Sequence, residues 1–159
     1  MVKSEQQIIQ ELIHKWVPLA LEFCQGAPGV TAVFVYAGSE LGSMHANAFF
    51  EQSGAVIYPN DLKGATRESD VFELQDLLMQ DLLDAERDFR EAVLPCPTEY
   101  RITYEPGPGR LDMQLSHEIK YANHPTKILE DGPEDWLEGR LEKHFGKLMP
   151  TEEQRREWQ

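Results

Sequence analysis

Between Ser69 and Leu94 the chain carries a long stripe of apolar residues with one period only. Val71, Leu74, Leu78, Leu82, Ala85, Phe89 and Ala92 recur at i, i+3, i+4 and i+7, which places them on one face of a helix. Ser69 or Asp70 supplies the N-cap, and Glu73 follows in the first turn where a negative charge is favoured. Pro95 and Pro97 stop the helix. A helix apolar on one side must cover another element, and strand-like blocks flank this one on both sides. The neighbouring side of the same helix carries Asp70, Glu73, Asp81, Asp84, Asp88 and Glu91. With Asp76 and Glu86 the stretch holds eight carboxylates against Arg87 and Arg90 alone. Like charges at helical spacing cost roughly 0.2–0.5 kcal/mol per pair. Arg87 is in reach of Asp84 and Glu91, and Arg90 of Glu86, so part of that cost is relieved.

The rest of the chain supplies what the helix must cover. Ser4-x-x-Gln7 is a capping-box pattern, and Ile9, Leu12, Ile13, Trp16, Leu19, Ala20 and Phe23 follow at helical spacing. Pro18 sits inside this run and predicts a kink or a restart. Val30 to Tyr36 reads as a strand, with Gly38-Ser39-Glu40-Leu41-Gly42 as a hairpin loop. Met44 to Glu51 and Ala55 to Tyr58 read as two more strands, turned at Ser53-Gly54. Pro59 to Glu68 reads as an exposed loop.

After the long helix comes the clearest hairpin, Tyr100–Glu105 and Leu111–Ile119 joined across Pro106-Gly107-Pro108-Gly109-Arg110. Its second strand sets Leu111, Met113, Leu115 and Ile119 against Asp112, Gln114, Ser116 and Glu118, one covered face and one wet face. His117 falls in the apolar row and is expected to be partly buried. Pro133 opens a last helix with Glu134 and Asp135 in its first turn, and Leu137, Leu141, Phe145 and Leu148 on its buried side. Gly146 is expected to end that helix, and Thr151-x-x-Gln154 to cap one further turn. The predicted fold is a single α+β domain over residues 1–159. In it, an antiparallel sheet of about five strands packs with the long central helix, in the order α-β-β-β-α-β-β-α.

Charge narrows the function classes. A net charge of −13 argues against binding nucleic acid or an anionic membrane surface through a basic footprint, and favours a basic partner steered in by the field. Cys24 and Cys96 have no metal spacing and read as thiols of a reducing compartment. No run reaches the length of a signal segment or a membrane span, so the expected location is the cytoplasm. His14, His45, His117, His124 and His144 form no i, i+4 metal pair, so no metal and no cofactor are expected. There is no nucleophile elbow, phosphate loop or dinucleotide fingerprint. The glycines of residues 106–109 lie between paired strands and lack the helix N-terminus that holds a phosphate.

What remains is acid. Asp81, Asp84, Asp88 and Glu91 on the long helix are joined by Glu130-Asp131-Gly132-Pro133-Glu134-Asp135-Trp136-Leu137-Glu138, a segment with five carboxylates and no base. An aromatic ring among charges is the composition of an interface hot spot. The competing reading folds Trp136 into the core beside Leu137. On the first reading Asp81, Asp84, Asp88, Glu91, Glu134, Asp135 and Trp136 form a partner-binding surface and the protein is not an enzyme. A further alternative is a small enzyme or ligand-binding domain with a pocket near His45, Tyr104 and His117.

The long acidic helix, the proline break, the hairpin PTEYRITYEPGPGRLDMQLS and then GPEDWLEGRL together resemble the YezG-like immunity proteins over roughly residues 30 to 145. The resemblance implies an antitoxin of bacterial competition: a monomer or homodimer that binds and neutralises a basic toxin domain, of nuclease type, with carboxylates mimicking phosphates. The alternation of helices and strands also resembles the class I chaperones of type III secretion. That implies a dimer holding an extended effector segment.

Overall fold

The computed structural model describes residues 2–66, 70–137 and 140–141. The chain runs α1 (Glu5–Phe23), β1 (Val30–Glu40), β2 (Ser43–Gln52), β3 (Ala55–Ile57), α2 (Val71–Glu91), β4 (Glu99–Glu105), β5 (Arg110–Ser116) and α3 (Gly132–Leu137). Short 3-10 turns span Pro59–Asp61 and Leu129–Asp131. This is the expected α+β order. All five strands pair antiparallel into one sheet in the order β3-β2-β1-β4-β5.

Alternation along each strand decides what lies on which face. Val33, Val35 and Ala37 of β1, Ala46, Ala48 and Phe50 of β2, and Tyr100 and Ile102 of β4 join α1 and α2 in the main core. Leu74, Leu78, Leu82, Ala85 and Phe89 are the buried residues that α2 contributes. Each such Leu or Phe is worth about 1.5–3 kcal/mol against exposure. The two helices meet through Trp16, whose indole N–H donates to Leu78 O at 3.2 Å while its ring lies edge-on to Tyr100. Ala32, Phe34, Tyr36, Phe49 and Val56 face the other way and form a smaller core with Leu137 and Leu141. The sheet is thus covered on one side by α1 and α2 and on the other by the α3 corner.

The capping box at Ser4 forms in both directions, Gln7 N–H to Ser4 Oγ and Ser4 N–H to Gln7 Oε1. Several boundaries differ from expectation. Helix α1 runs through Pro18 without a break, and that residue is exposed. Strand β1 continues through Gly38, Ser39 and Glu40, and the turn is Leu41-Gly42 alone, with φ 46° and 86°. Ser53 and Gly54 repeat that pattern at 53° and 85°. Two positive φ values in a two-residue loop match the right-handed twist of the flanking strands. Strand β5 ends at Ser116, so His117 is exposed and not partly buried, and Ile119 is exposed as well. Helix α3 is described over Gly132–Leu137, and Leu141 reaches the smaller core through a parallel bridge to Val56, not along a helix. Phe145, Gly146, Leu148, Thr151 and Gln154 lie outside the described residues.

Candidate partner-binding surface

The acidic side of α2 divides in two when its neighbours are placed. Asp88 accepts from Lys3 Nζ at 3.1 Å, and Lys3 also reaches Glu11 of α1 at 2.8 Å. The Asp88 side chain keeps only 16% exposure. Asp81 is half-buried, and burial pushes its carboxyl above the usual range, with Lys15 of α1 partly offsetting and Asp84 adding to the shift. Asp81 and Asp88 therefore belong to the seam between α1 and α2. Asp84 stands outside it, 46% exposed, with Arg87 at 3.3 Å. Asp70, Glu73 and Glu91 are exposed, and Asp70 caps the helix by accepting from Glu73 N–H at 2.9 Å. Glu86, the eighth carboxylate, is buried and accepts from Ser39 Oγ at 2.7 Å. The solvent-facing acid of α2 is thus Asp70, Glu73, Asp76, Asp84 and Glu91. They are spread along a helix that is roughly 30 Å long for its 21 residues.

The second acidic segment lies on the opposite face of the sheet and is tied inward. Tyr121 Oη donates to Asp135 Oδ2 at 3.0 Å, Lys127 Nζ bonds Asp135 Oδ1 at 3.0 Å, and Tyr58 Oη donates to Glu134 at 3.3 Å. Burial, then these carboxylates, push the Tyr58 and Tyr121 hydroxyls upward. Trp136 is half-buried, edge-on to Phe34 with centroids 5.8 Å apart and tilted against Tyr36 at 6.3 Å. Its ring closes the smaller core beside Leu137. Asp81, Asp84, Asp88 and Glu91 therefore share one face with α1, whereas Glu134, Asp135 and Trp136 share the other. The seven residues make two surfaces, not one.

Beneath α3 is a buried polar cluster that sequence patterns did not reveal. Glu40 and Glu99 are each 3% exposed. Glu40 accepts from the backbone N–H groups of Lys120, Tyr121 and Ala122, at 2.9, 3.0 and 2.7 Å. Glu99 accepts from Tyr36 Oη at 2.8 Å and Lys120 Nζ at 2.8 Å; Arg101 Nε lies 3.0 Å away, close enough to pair but not aligned as a hydrogen bond. Burial and then Glu99 raise the Tyr36 hydroxyl well above its ordinary range. Gly132 sits where any Cβ would overlap Tyr36 Oη, so the start of α3 seals this cluster. Local pattern gives no sign of it, since Glu40 reads as part of a loop and Glu99 lies just before the expected strand. The partners of Glu40 lie 80 or more positions away, and those of Glu99 include Tyr36, 63 positions away, and Lys120, 21 positions away.

His45, Tyr104 and His117 do not converge. His45 lies on the α3 face beside Tyr36, with ring centroids 6.4 Å apart, and burial lowers its imidazole with Glu130 partly opposing. Tyr104 lies on the helix face with the main core, and His117 is exposed beyond β5. None of the three lines either of two surface hollows, of about 270 and 340 Å³. The first holds Arg140 over Phe34 at 5.5 Å and paired with Glu51 at 3.0 Å. Burial raises both the Cys24 and the Cys96 thiols, the direction that disfavours a nucleophilic thiolate. Among the described residues no three His, Cys, Asp or Glu side chains group as a metal site, and no helix is long and apolar enough to cross a membrane. No family model matches the chain, and no curated protein matches its sequence.

Proposed function

We propose that this protein is a cytoplasmic, non-enzymatic immunity protein that holds a basic toxin domain, of nuclease type, against the outer edge of α2. The observation that carries the reading is the solvent-facing acid along one rigid helix. Asp70, Glu73, Asp84 and Glu91 are anchored from behind by Leu74, Leu78, Leu82 and Phe89 in the core. Such an edge holds its charges in fixed relative positions and presents them to a cationic groove built for phosphates, while the net charge of −13 speeds the encounter. Asp81 and Asp88 support the edge through the α1 seam and are secondary contributors. Glu134, Asp135 and Trp136 stabilise the opposite face and take no part in the primary contact.

The test is co-expression with the toxic C-terminal domain of a secreted protein encoded beside this one. The expected result is that wild type protects cells, D84K/E91K does not, and both forms fold equally well. Protection that survives this double reversal would overturn the reading, as would the absence of any toxic neighbour that the protein neutralises.

A further inference from the structure

The two edges of the sheet are finished differently. On the β3 side, Val56 is already bridged by Leu141. On the β5 side no described residue pairs with the outer flank of the strand. The ladder fixes which backbone groups face outward there. Ser39 N–H donates to Thr98 O at 2.9 Å, one step beyond the Gly38–Glu99 pair. Hydrogen bonding alternates along an antiparallel strand, so Tyr100, Ile102 and Tyr104 turn their N–H and C=O towards β1. Glu99, Arg101, Thr103 and Glu105 turn theirs towards β5, where their opposites are Ser116, Gln114, Asp112 and Arg110. The N–H and C=O groups of Leu111, Met113 and Leu115 therefore point out of the sheet.

The same three residues carry the apolar row of the strand, and α1 and α2 leave that row incompletely covered. Leu111 is 44% exposed and Met113 and Leu115 are half-buried. Residues 110–116 include no proline, no lysine and no register shift. Of the devices that usually blunt an edge, only the charges of Arg110 and Asp112 are present.

Charge and symmetry select the occupant. Arg110 and Asp112 cancel, so β5 is locally neutral on a molecule of net charge −13; a strongly basic partner finds nothing to pair with there, whereas two copies meet at this edge without local like charges opposed. An antiparallel pairing centred on Met113 sets Met113 against its own counterpart and Leu111 against Leu115 of the partner subunit. Asp112 then faces Gln114 of the partner subunit, and Arg110 faces Ser116 of the partner subunit. No like charges oppose each other, and every outward N–H and C=O of Leu111, Met113 and Leu115 is satisfied. We propose that the protein forms a two-fold homodimer through β5, with one continuous sheet running through both copies. This inference stands apart from the toxin-binding reading, because the α2 edge and β5 are different parts of the surface.

Sedimentation equilibrium of the full chain over a range of concentrations tests it. The expected mass rises from the monomer's 18.2 kDa towards twice that value. Met113→Pro removes an outward N–H without touching the β4 ladder, a position where an edge strand tolerates proline. It is expected to weaken the dimer by about tenfold or more while the fold is retained. Leu111→Lys, a substitution at an exposed site, is the second probe and is expected to weaken the dimer in the same direction. Gln114→Pro, which removes a ladder N–H, should instead lower thermal stability. A wild type that stays at monomer mass at every concentration, or a dimer that tolerates both Met113→Pro and Leu111→Lys, overturns the proposal.

Discussion

The outer edge of α2 and the corner built by α3 carry the same kind of charge and are employed in opposite ways. Asp84 and Glu91 face solvent from a helix whose other side is fully committed to the core. Glu134 and Asp135 face hydroxyls of Tyr58 and Tyr121, and Trp136 lies across Phe34 and Tyr36. What separates the two is not the number of carboxylates but whether a donor from a distant part of the chain reaches them. A helix of 21 residues keeps much of its surface away from any neighbour, whereas a six-residue helix set on a sheet keeps almost none.

That comparison breaks most easily at Trp136. If the ring closes a core, Trp136→Ala costs about 2–4 kcal/mol of folding stability, below the 3–5 of a fully buried aromatic because the residue is half-buried. Denaturant unfolding measures it, and a loss under 1 kcal/mol would return Trp136 to the surface.

Acid titration probes the same face next. Burial depresses the His45 imidazole from its ordinary value of 6.5, so above pH 6.5 the folded and unfolded states are both neutral there and the stability is fully present. As pH falls below 6.5 the unfolded chain takes up a proton that the folded one refuses. Stability then falls until the folded-state value is reached, at up to about 1.4 kcal/mol per pH unit. His45→Gln should flatten that slope, as read by Tm against pH between 7 and 5.

Asp135→Ala sharpens the contrast at smaller scale. It removes the acceptor of Tyr121 Oη and Lys127 Nζ, and is expected to cost about 1–2 kcal/mol, with Glu91→Ala within 0.5 kcal/mol of wild type. Equal losses for the two would erase the distinction.

The smallest effect lies in the α1–α2 seam. Burial raises the Asp81 carboxyl above its ordinary value of 3.8, so the charged form burdens the fold at neutral pH and the burden is lifted as pH falls through the raised value. Asp81→Asn should raise Tm at pH 7 by roughly 1–2 °C, a gain that fades as pH approaches 3.8.

The order of elements and the core side of α2 were legible because they rest on local periodicity: Leu74, Leu78, Leu82 and Phe89 repeat at helical spacing, and Leu111 to Ser116 alternates. The end of β1 was not. Gly38-Ser39-Glu40 has the composition of a loop, and only Lys120, Tyr121 and Ala122, far along the chain, make Glu40 the buried end of a strand. Of the two outcomes Pro18 allows, a restart does not occur, since packing of the helix on both sides of it outweighs one missing bond. The candidate surface was legible as charge but not as geometry. Helical spacing places Asp81, Asp84, Asp88 and Glu91 together, yet it cannot show that Lys3 and Lys15 claim two of them, nor that Glu134 and Asp135 sit across the sheet.

The most direct measurement is the affinity for the basic toxin domain across ionic strength, for wild type, D84K/E91K and E134K/D135K. The α2-edge account predicts that D84K/E91K loses at least a hundredfold, with a shallower salt dependence because fewer attractive charges remain to be screened. E134K/D135K should lose thermal stability while the fraction still folded binds within about threefold of wild type. Wild-type affinity in D84K/E91K, or a loss confined to E134K/D135K, would contradict the account.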